Sequence, residues 1–317
     1  MIWAGLYRME ILGSTFDDSV FEESRKRVSS AVLPAYKPKT CEPEWFCHHG
    51  TFEDELDEQK TMKFRADLKY MKKQYQSALE DYRACFSLVP SGNLSLRRDV
   101  LESMARCYSR LGLREQALYT CEKLRKEATN TCHLTCVLLL ELSVEEGCGD
   151  LNASITSLQQ LCSIHPFNPW HWLKLATCFQ SLLEHSDVQE NTKDVLHPQQ
   201  QEEKKMVRLK ASMCFVRSRL LIEILRIQQF SFVLEKSKRA LKETQESLQR
   251  LQLEEETLQI ISKVMAEDLN PEKMREENQD GESLSGFSIK DFEERWWNKL
   301  HTSLPVEEKT DLSVNKL

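Results

Sequence analysis

This sequence predicts an all-α fold, and three observations carry the prediction. Glycine and proline number only 9 each in 317 residues, which is lean for a β-rich or loop-rich protein. From about residue 60 onward, apolar side chains recur at helical rather than alternating spacing. Within that region three stretches repeat a common pattern, the mark of a helical array.

In chain order, residues 1–59 read as an irregular segment. Pro34, Pro38 and Pro43 interrupt it, and it closes on the acidic run "EDELDE". Residues 60–183 hold the three related stretches. The first is "YQSALEDYRACFSLVP", with Ala78, Tyr82, Cys85 and Pro90. The second is "MARCYSRLGLREQALYTCEKL", with Ala105, Tyr108, Gly112, Ala117, Cys121 and Leu124. The third is "GDLNASITSLQQLCSIHP", with Gly149, Leu158, Leu161 and Pro166. Each reads as two short helices around a tight turn. A small residue, Ala78 or Ala117, lets two antiparallel helices approach, and the i, i+4 and i+7 positions bury against the partner. Gly112 suits the left-handed conformation that ends a helix. Ala78 and Ala117 lie 39 residues apart; a longer turn around "PSGNLSLRRD" absorbs the excess over the usual ~34.

This pattern resembles the tetratricopeptide repeat, whose signature runs W-x2-L-G-x2-Y, then A-x3-F, then P. The resemblance covers about residues 60–183. It implies tetratricopeptide-like helical hairpin repeats stacked as a right-handed α-solenoid, with additional C-terminal helices. The unusual stretch "HPFNPWHWLKLATCF", residues 165–179, then reads as a joint. Pro166 stands where a repeat closes; Trp172, Leu175 and Phe179 stand where the next one leads. Asn168 caps the new helix, Pro169 occupies its first turn, and Trp172 fills the interface between adjacent helix pairs. At finer grain "DDSVFEE", "CEPEWF", "ATNTCHLT", "HPFNPW" and "VMAEDL" are similar to a family of uncharacterised vertebrate proteins. That resemblance implies the same helical fold and brings no activity or catalytic residue with it.

Beyond the array, residues 184–202 lack apolar periodicity and read as a flexible linker. Residues 203–269 continue with helices at about 203–228, 231–250 and 254–268. In the first of these, Met213, Val216, Leu220 and Ile224 occupy one face, and Arg208, Ser212, Arg219, Glu223 and Arg226 another. Residues 270–286 break the pattern with Pro271, Gly281 and Gly286. Residues 287–317 supply a final amphipathic helix and tail, with Phe292, Trp296 and Leu300 at i, i+4, i+8 and Trp297 beside them. This stripe docks on the protein's own array or anchors a partner.

Function is read from chemistry weighed against packing. The net charge of -7 predicts no bulk attraction to nucleic acid or to an anionic membrane, with a local basic patch left open. No run approaches the ~20 apolar residues of a membrane span. The 11 cysteines, an odd number scattered through helical patterns, read as reduced thiols of an intracellular protein, cytoplasmic or nuclear. "CEPEWFCHH" and "CHLTC" lack the second cysteine pair of a structural zinc site, so no metal or other cofactor is expected. No GxSxG, HExxH or phosphate-cradling glycine loop occurs, and no enzyme activity is expected. In the chaperone-tail-binding branch of the repeat family, a clamp of Lys and Asn residues holds a carboxylate. Here those places hold Lys63, Asp67, Ser103, Cys136 and Leu140, and Asp67 repels a carboxylate, so chaperone-tail binding is not expected. The expectation is a non-enzymatic adaptor or scaffold that binds a protein partner through its helical-repeat groove. The alternatives are a structural subunit of a larger assembly and, behind it, an enzyme or metal protein without a recognisable motif.

Overall fold

The structure, a computed structural model, describes residues 45–47, 54–190, 198–270, 284 and 286–304. The chain divides into two compact units, Met1–Trp45 and Phe46–Leu317. Of the first unit only Trp45 is described, so the expected irregularity of residues 1–44 lies outside the described residues. All that follows concerns the second unit.

The described residues are helical throughout, with no strand. A 3-10 turn at Trp45–Cys47 precedes α1 (Glu55–Met71), α2 (Tyr75–Leu88), α3 (Leu94–Arg110), α4 (Arg114–Lys126), α5 (Thr131–Gly147), α6 (Leu151–Ile164) and α7 (Pro169–Glu190). Then come α8 (Pro198–Leu225), α9 (Ser231–Leu251), α10 (Glu255–Ala266) and α11, residues 289–303. Each helix from α1 to α8 packs on the next in chain order, and α3 also touches α5. Both α9 and α10 pack on α8, and α11 lies across α6 and α10.

The same local chemistry recurs along the first seven helices. α1, α3, α5 and α7 each begin with an amide or carboxylate cap. The side chains of Asp54, Asn93, Asn130 and Asn168 accept from the backbone N–H of Leu56, Leu96, His133 and Trp170 at 3.1, 3.3, 2.9 and 3.0 Å. Such caps satisfy donors that the helix itself leaves open. α1, α3 and α5 end alike: Lys73, Gly112 and Gly149 take φ of 61°, 73° and 71°. The next residue's N–H then bonds back to Lys69, Tyr108 and Glu145 O at 2.9, 2.9 and 3.0 Å. This is the Schellman closure, whose left-handed residue is best a glycine. Only Lys73 departs from that preference. Gly112→Ala is therefore expected to destabilise by about 1–2 kcal/mol and Lys73→Gly to stabilise by somewhat less, both readable in urea melts. Shifts of the same sign would mean that the two turns are not equivalent.

Ala78, Ala105 and Ala117 are wholly buried where helices meet, with Tyr82 and Tyr108 beside them. Pro90 is exposed, one residue past the Val89 that closes α2. Several expectations need correction. "LSLRRD" is not part of a long turn but the first turns of α3, and the 39-residue spacing is taken up by helices of 17 and 14 residues. α1 starts inside the acidic run rather than after it, because Asp54 caps it and acids favour a helix N-terminus. The expected linker 184–202 is helical at both ends: α7 reaches Glu190 and α8 starts at Pro198. No Gly or Pro interrupts "LEHSDVQE", and extending an existing helix into water needs no apolar stripe. Residues 191–197 lie outside the described residues. Of 270–286, only Asn270, Leu284 and Gly286 are described.

α8 departs from the two-faced reading. Residues 211–218 are buried on every side, Ser212, Arg217 and Ser218 included, while Ile224 is exposed. A helix enclosed by α7, α9 and α10 has no solvent face to give its polar residues; Arg217 and Ser218 find partners inside, while the buried Ser212 hydroxyl has none among the described residues.

Candidate interaction surface

The joint forms as expected at its caps. α6 ends at Ile164, Asn168 caps α7, and Pro169 occupies its first position, where a missing N–H costs nothing. Trp172 is fully buried and its indole N–H donates to Pro166 O at 2.9 Å. Leu175 and Phe179 continue the buried face of α7. The neighbours of Trp172, though, include the far end of the chain. Its ring lies 5.0 Å from Trp296 and 5.7 Å from Phe292, centroid to centroid. Trp297 stands edge-on to Phe179 at 6.1 Å and to Phe292 at 5.0 Å.

Phe292, Trp296, Trp297 and Leu300, the stripe read as a self-docking or partner-binding surface, are thus all buried on their own chain. α11 manages this by a π turn over Glu293–Trp297. The wider turn brings Trp297 to the side of Phe292, which a regular helix would not. Ser288 and Asp291 close its start as a capping box. A side chain buried in this way is not on offer to a partner.

Arg217 holds the region together, and no sequence signal singled it out. Its guanidinium, wholly buried, donates to Met265 O at 2.6 Å and Pro166 O at 3.2 Å and pairs with Asp268. It also lies 4.8 Å over the Trp296 ring. Asp268 receives Arg295 as well, at 3.2 Å, and Ser218 Oγ donates to Pro169 O at 3.0 Å. One side chain therefore links the joint, the end of α10 and α11.

Trp170, two residues before Trp172, sits differently. Trp170 is half-buried, under Lys236 Nζ at 4.1 Å. Trp172→Ala is expected to cost about 3–5 kcal/mol, Trp170→Ala about 1 kcal/mol or less. Thermal melts of the two variants decide; equal shifts would contradict this geometry.

The outer positions of the paired helices are tied by ions. Lys63 Nζ stands 2.9 Å from both Asp67 and Asp99, joining α1 to α3, and Tyr82 donates to Asp67 at 2.6 Å. Arg83 donates to Tyr108 Oη at 2.7 Å, Arg97 pairs with Glu127 at 2.9 Å, and Arg125 pairs with Glu141. Of the positions compared with the chaperone clamp, Lys63 is thus engaged by two carboxylates, and Leu140 is buried and faces no groove. Its neighbour Leu139 is 44% exposed and extends the exposed line Cys132, Cys136, Leu139, Ser143 along α5. The i, i+4, i+7, i+11 spacing puts these four on one face.

Cysteine and histidine chemistry is quiet here. Burial pushes the Cys107 and Cys121 thiols up to about 12 and Cys85 and Cys178 to about 11. Such thiols carry little thiolate and react slowly. In "CHLTC", Cys132 and Cys136 are exposed, but the His133 ring turns to Thr129, its Nδ1 3.0 Å from the hydroxyl. Among the described residues no group of three or more His, Cys, Asp and Glu is placed to hold a metal. In "CEPEWFCHH" only Cys47 and its two predecessors are described; Cys41, His48 and His49 lie outside.

His165 and His171 pack ring to ring at 5.9 Å, and His165 Nε2 lies 2.7 Å from Thr135 Oγ1. Thr135 Oγ1 also lies 2.8 Å from Thr131 O, so its single proton is shared between the backbone carbonyl and the histidine. Burial, with His165 and Lys174 nearby, lowers the His171 pKa to about 4; burial lowers that of His165 as well. In the unfolded chain each titrates near 6.5. The unfolded state thus binds more protons below that pH, and stability present above it is lost as pH falls toward about 4. His171→Phe is expected to flatten the fall in melting temperature between pH 6.5 and 4; an unchanged slope would exclude His171 as its source.

Comparison with known proteins adds the following. A model described as a family of unknown function, DUF5588, matches residues 10–185 and 179–309. A human relative, "Uncharacterized protein C8orf76", is 32% identical over 92% of this chain and 93% of its own length. A rat relative, "Uncharacterized protein C8orf76 homolog", is 29% identical over 96% of this chain and 97% of its own. No solved structure matches the chain.

Proposed function

The chain belongs to the DUF5588 family of unknown function, and on that premise we propose that it is a non-enzymatic adaptor that binds a protein partner along a tetratricopeptide-like helical array. One observation carries the reading: the recurrence of local chemistry. First helices start at Glu55, Leu94, Thr131 and Pro169, steps of 39, 37 and 38 residues. Each start has the same kind of cap, and the first three pairs share the same left-handed closure. Contact from each helix to the next, and from α3 to α5, is what stacking of helix pairs requires. Repeated pairs of this sort present one long surface, built from equivalent faces of successive helices, and such surfaces take extended peptides or helices.

On α5 the equivalent face is the line Cys132, Cys136, Leu139, Ser143, which is apolar and thiol-bearing rather than cationic. The favoured partner segment is correspondingly apolar and not a carboxylate tail. The test compares affinity purification of the full chain with that of Cys136→Glu/Leu139→Glu, both changed side chains being solvent-exposed. The adaptor reading expects a defined set of partners with the first and its loss with the second, at an unchanged melting temperature. An identical set with both would remove α5 from the binding surface.

A further inference from the structure

The link between α8 and α9 carries large apolar side chains on its outside. Ile227, Phe230 and Phe232 are 79%, 80% and 79% exposed, and Ile224 and Leu225 flank them at 39% and 37%. Apolar side chains grouped in water at one turn mark an interaction site. The turn has defined geometry. Arg226–Gln228 form a 3-10 turn, and the Gln229 side chain accepts from Ser237 Oγ at 2.5 Å. Ser231, between the two phenylalanines, is held at φ 56°, a left-handed conformation that an L-residue adopts at a cost.

A basic shoulder surrounds the tip. Arg226, Lys236, Lys238, Arg239 and Lys242 are all exposed, and Glu235 is the one acid between 226 and 242. Glu223 on α8 and Glu243 and Glu246 on α9 lie just beyond. Lys238 meets Glu235 at 2.8 Å and Lys242 meets Glu246 at 3.9 Å, in solvent-exposed pairs that water and ions readily replace. In a chain of net charge -7 this is a local excess of positive charge, which the total conceals.

Shape and charge together select the occupant. Side chains about four-fifths exposed stand out from the surface instead of lining a groove, so they do not cradle a peptide helix. A second copy would bring one cationic shoulder against another. A bilayer interface accepts a protruding apolar tip and attracts the cations beside it. We propose that the α8–α9 turn docks the protein on anionic lipid membranes. Ile227, Phe230 and Phe232 enter the boundary between headgroups and acyl chains, and Arg226, Arg239 and Lys242 face the lipid phosphates, while Lys236 rests on the Trp170 ring. Attachment of this kind is peripheral and reversible; no helix among the described residues is long and apolar enough to cross a membrane. The proposal is independent of the adaptor surface on α5.

Flotation of the full chain with vesicles tests it, using phosphatidylcholine alone and phosphatidylcholine with added phosphatidylserine. The expected result is flotation with the anionic vesicles only, weakened by salt. Phe230→Ser/Phe232→Ser should abolish it at an unchanged melting temperature, since both rings are in water already. Arg239→Glu/Lys242→Glu should weaken it at least ten-fold, because each basic residue at such a surface is worth roughly five-fold in partitioning. Absence of flotation with anionic vesicles would overturn the proposal. So would flotation that survives loss of both phenylalanines, or a concentration-dependent dimer abolished by that double variant without any vesicle binding.

Discussion

Deleting residues 287–317 is expected to abolish the cooperative melt of the C-terminal half of the protein and to expose apolar surface to a dye such as ANS. The deletion withdraws Phe292, Trp296, Trp297, Leu300 and Leu304, each at most 8% exposed, from the core that α5 to α10 share. At roughly 1.5–3 kcal/mol per buried side chain, five of them contribute on the order of 10 kcal/mol. That is comparable with the ~5–15 kcal/mol that holds an ordinary domain folded. Trp172 and Phe179 would lose their aromatic neighbours, and Arg217 its Trp296 lid. Trp296→Ala alone should lower the melting temperature in the same direction. A truncated chain that melts like the full one would show that α11 lies on the surface, and would restore Phe292, Trp296, Trp297 and Leu300 to the role of a partner anchor.

The second large effect is expected at Arg217. Arg217→Met keeps a long apolar stem but strands the Met265 carbonyl, leaves the Pro166 carbonyl to the Trp172 indole, and leaves Asp268, 15% exposed at its side chain, with Arg295. Breaking one side of a buried pair costs about 3–5 kcal/mol, and the lower end applies here because Arg295 still faces Asp268. The melting temperature should fall by on the order of 10 °C. Adding Asp268→Asn to Arg217→Met should cost much less than Asp268→Asn does by itself, since the charge it removes is by then poorly paired. Calorimetry of the four members of that cycle gives the coupling directly. Additive losses would mean that the guanidinium and the carboxylate do not depend on one another.

Local features were legible where they are encoded locally. Asn168 and Pro169 begin a helix wherever they sit, and Gly112 ends one, because capping and left-handed φ depend on a few neighbouring atoms. The caps at Asn93 and Asn130, at the same step along the chain, carried a further signal for the repeat that the apolar pattern alone had not used. Lys73 was silent because a lysine does not advertise a left-handed turn. The end of α7 was misplaced since a helix projecting past its core needs no apolar stripe. Arg217 carries no local mark of its role, because α8 has no surface at its middle and only packing decides that.

By itself, then, the sequence determined that the chain is helical, where α9 and α10 lie, and the chemistry of several of the turns, all set by contacts within a few residues. It also determined that Trp172 and the stripe Phe292, Trp296, Leu300 must be covered, because apolar surface of that size does not stay in water. What covers them was decided only by tertiary structure: the joint at residues 165–172 and α11, more than a hundred residues apart, bury one another around Arg217. Burial is non-directional, so an apolar stripe records that it needs a partner surface and not which one. That choice belongs to the packing of the whole chain.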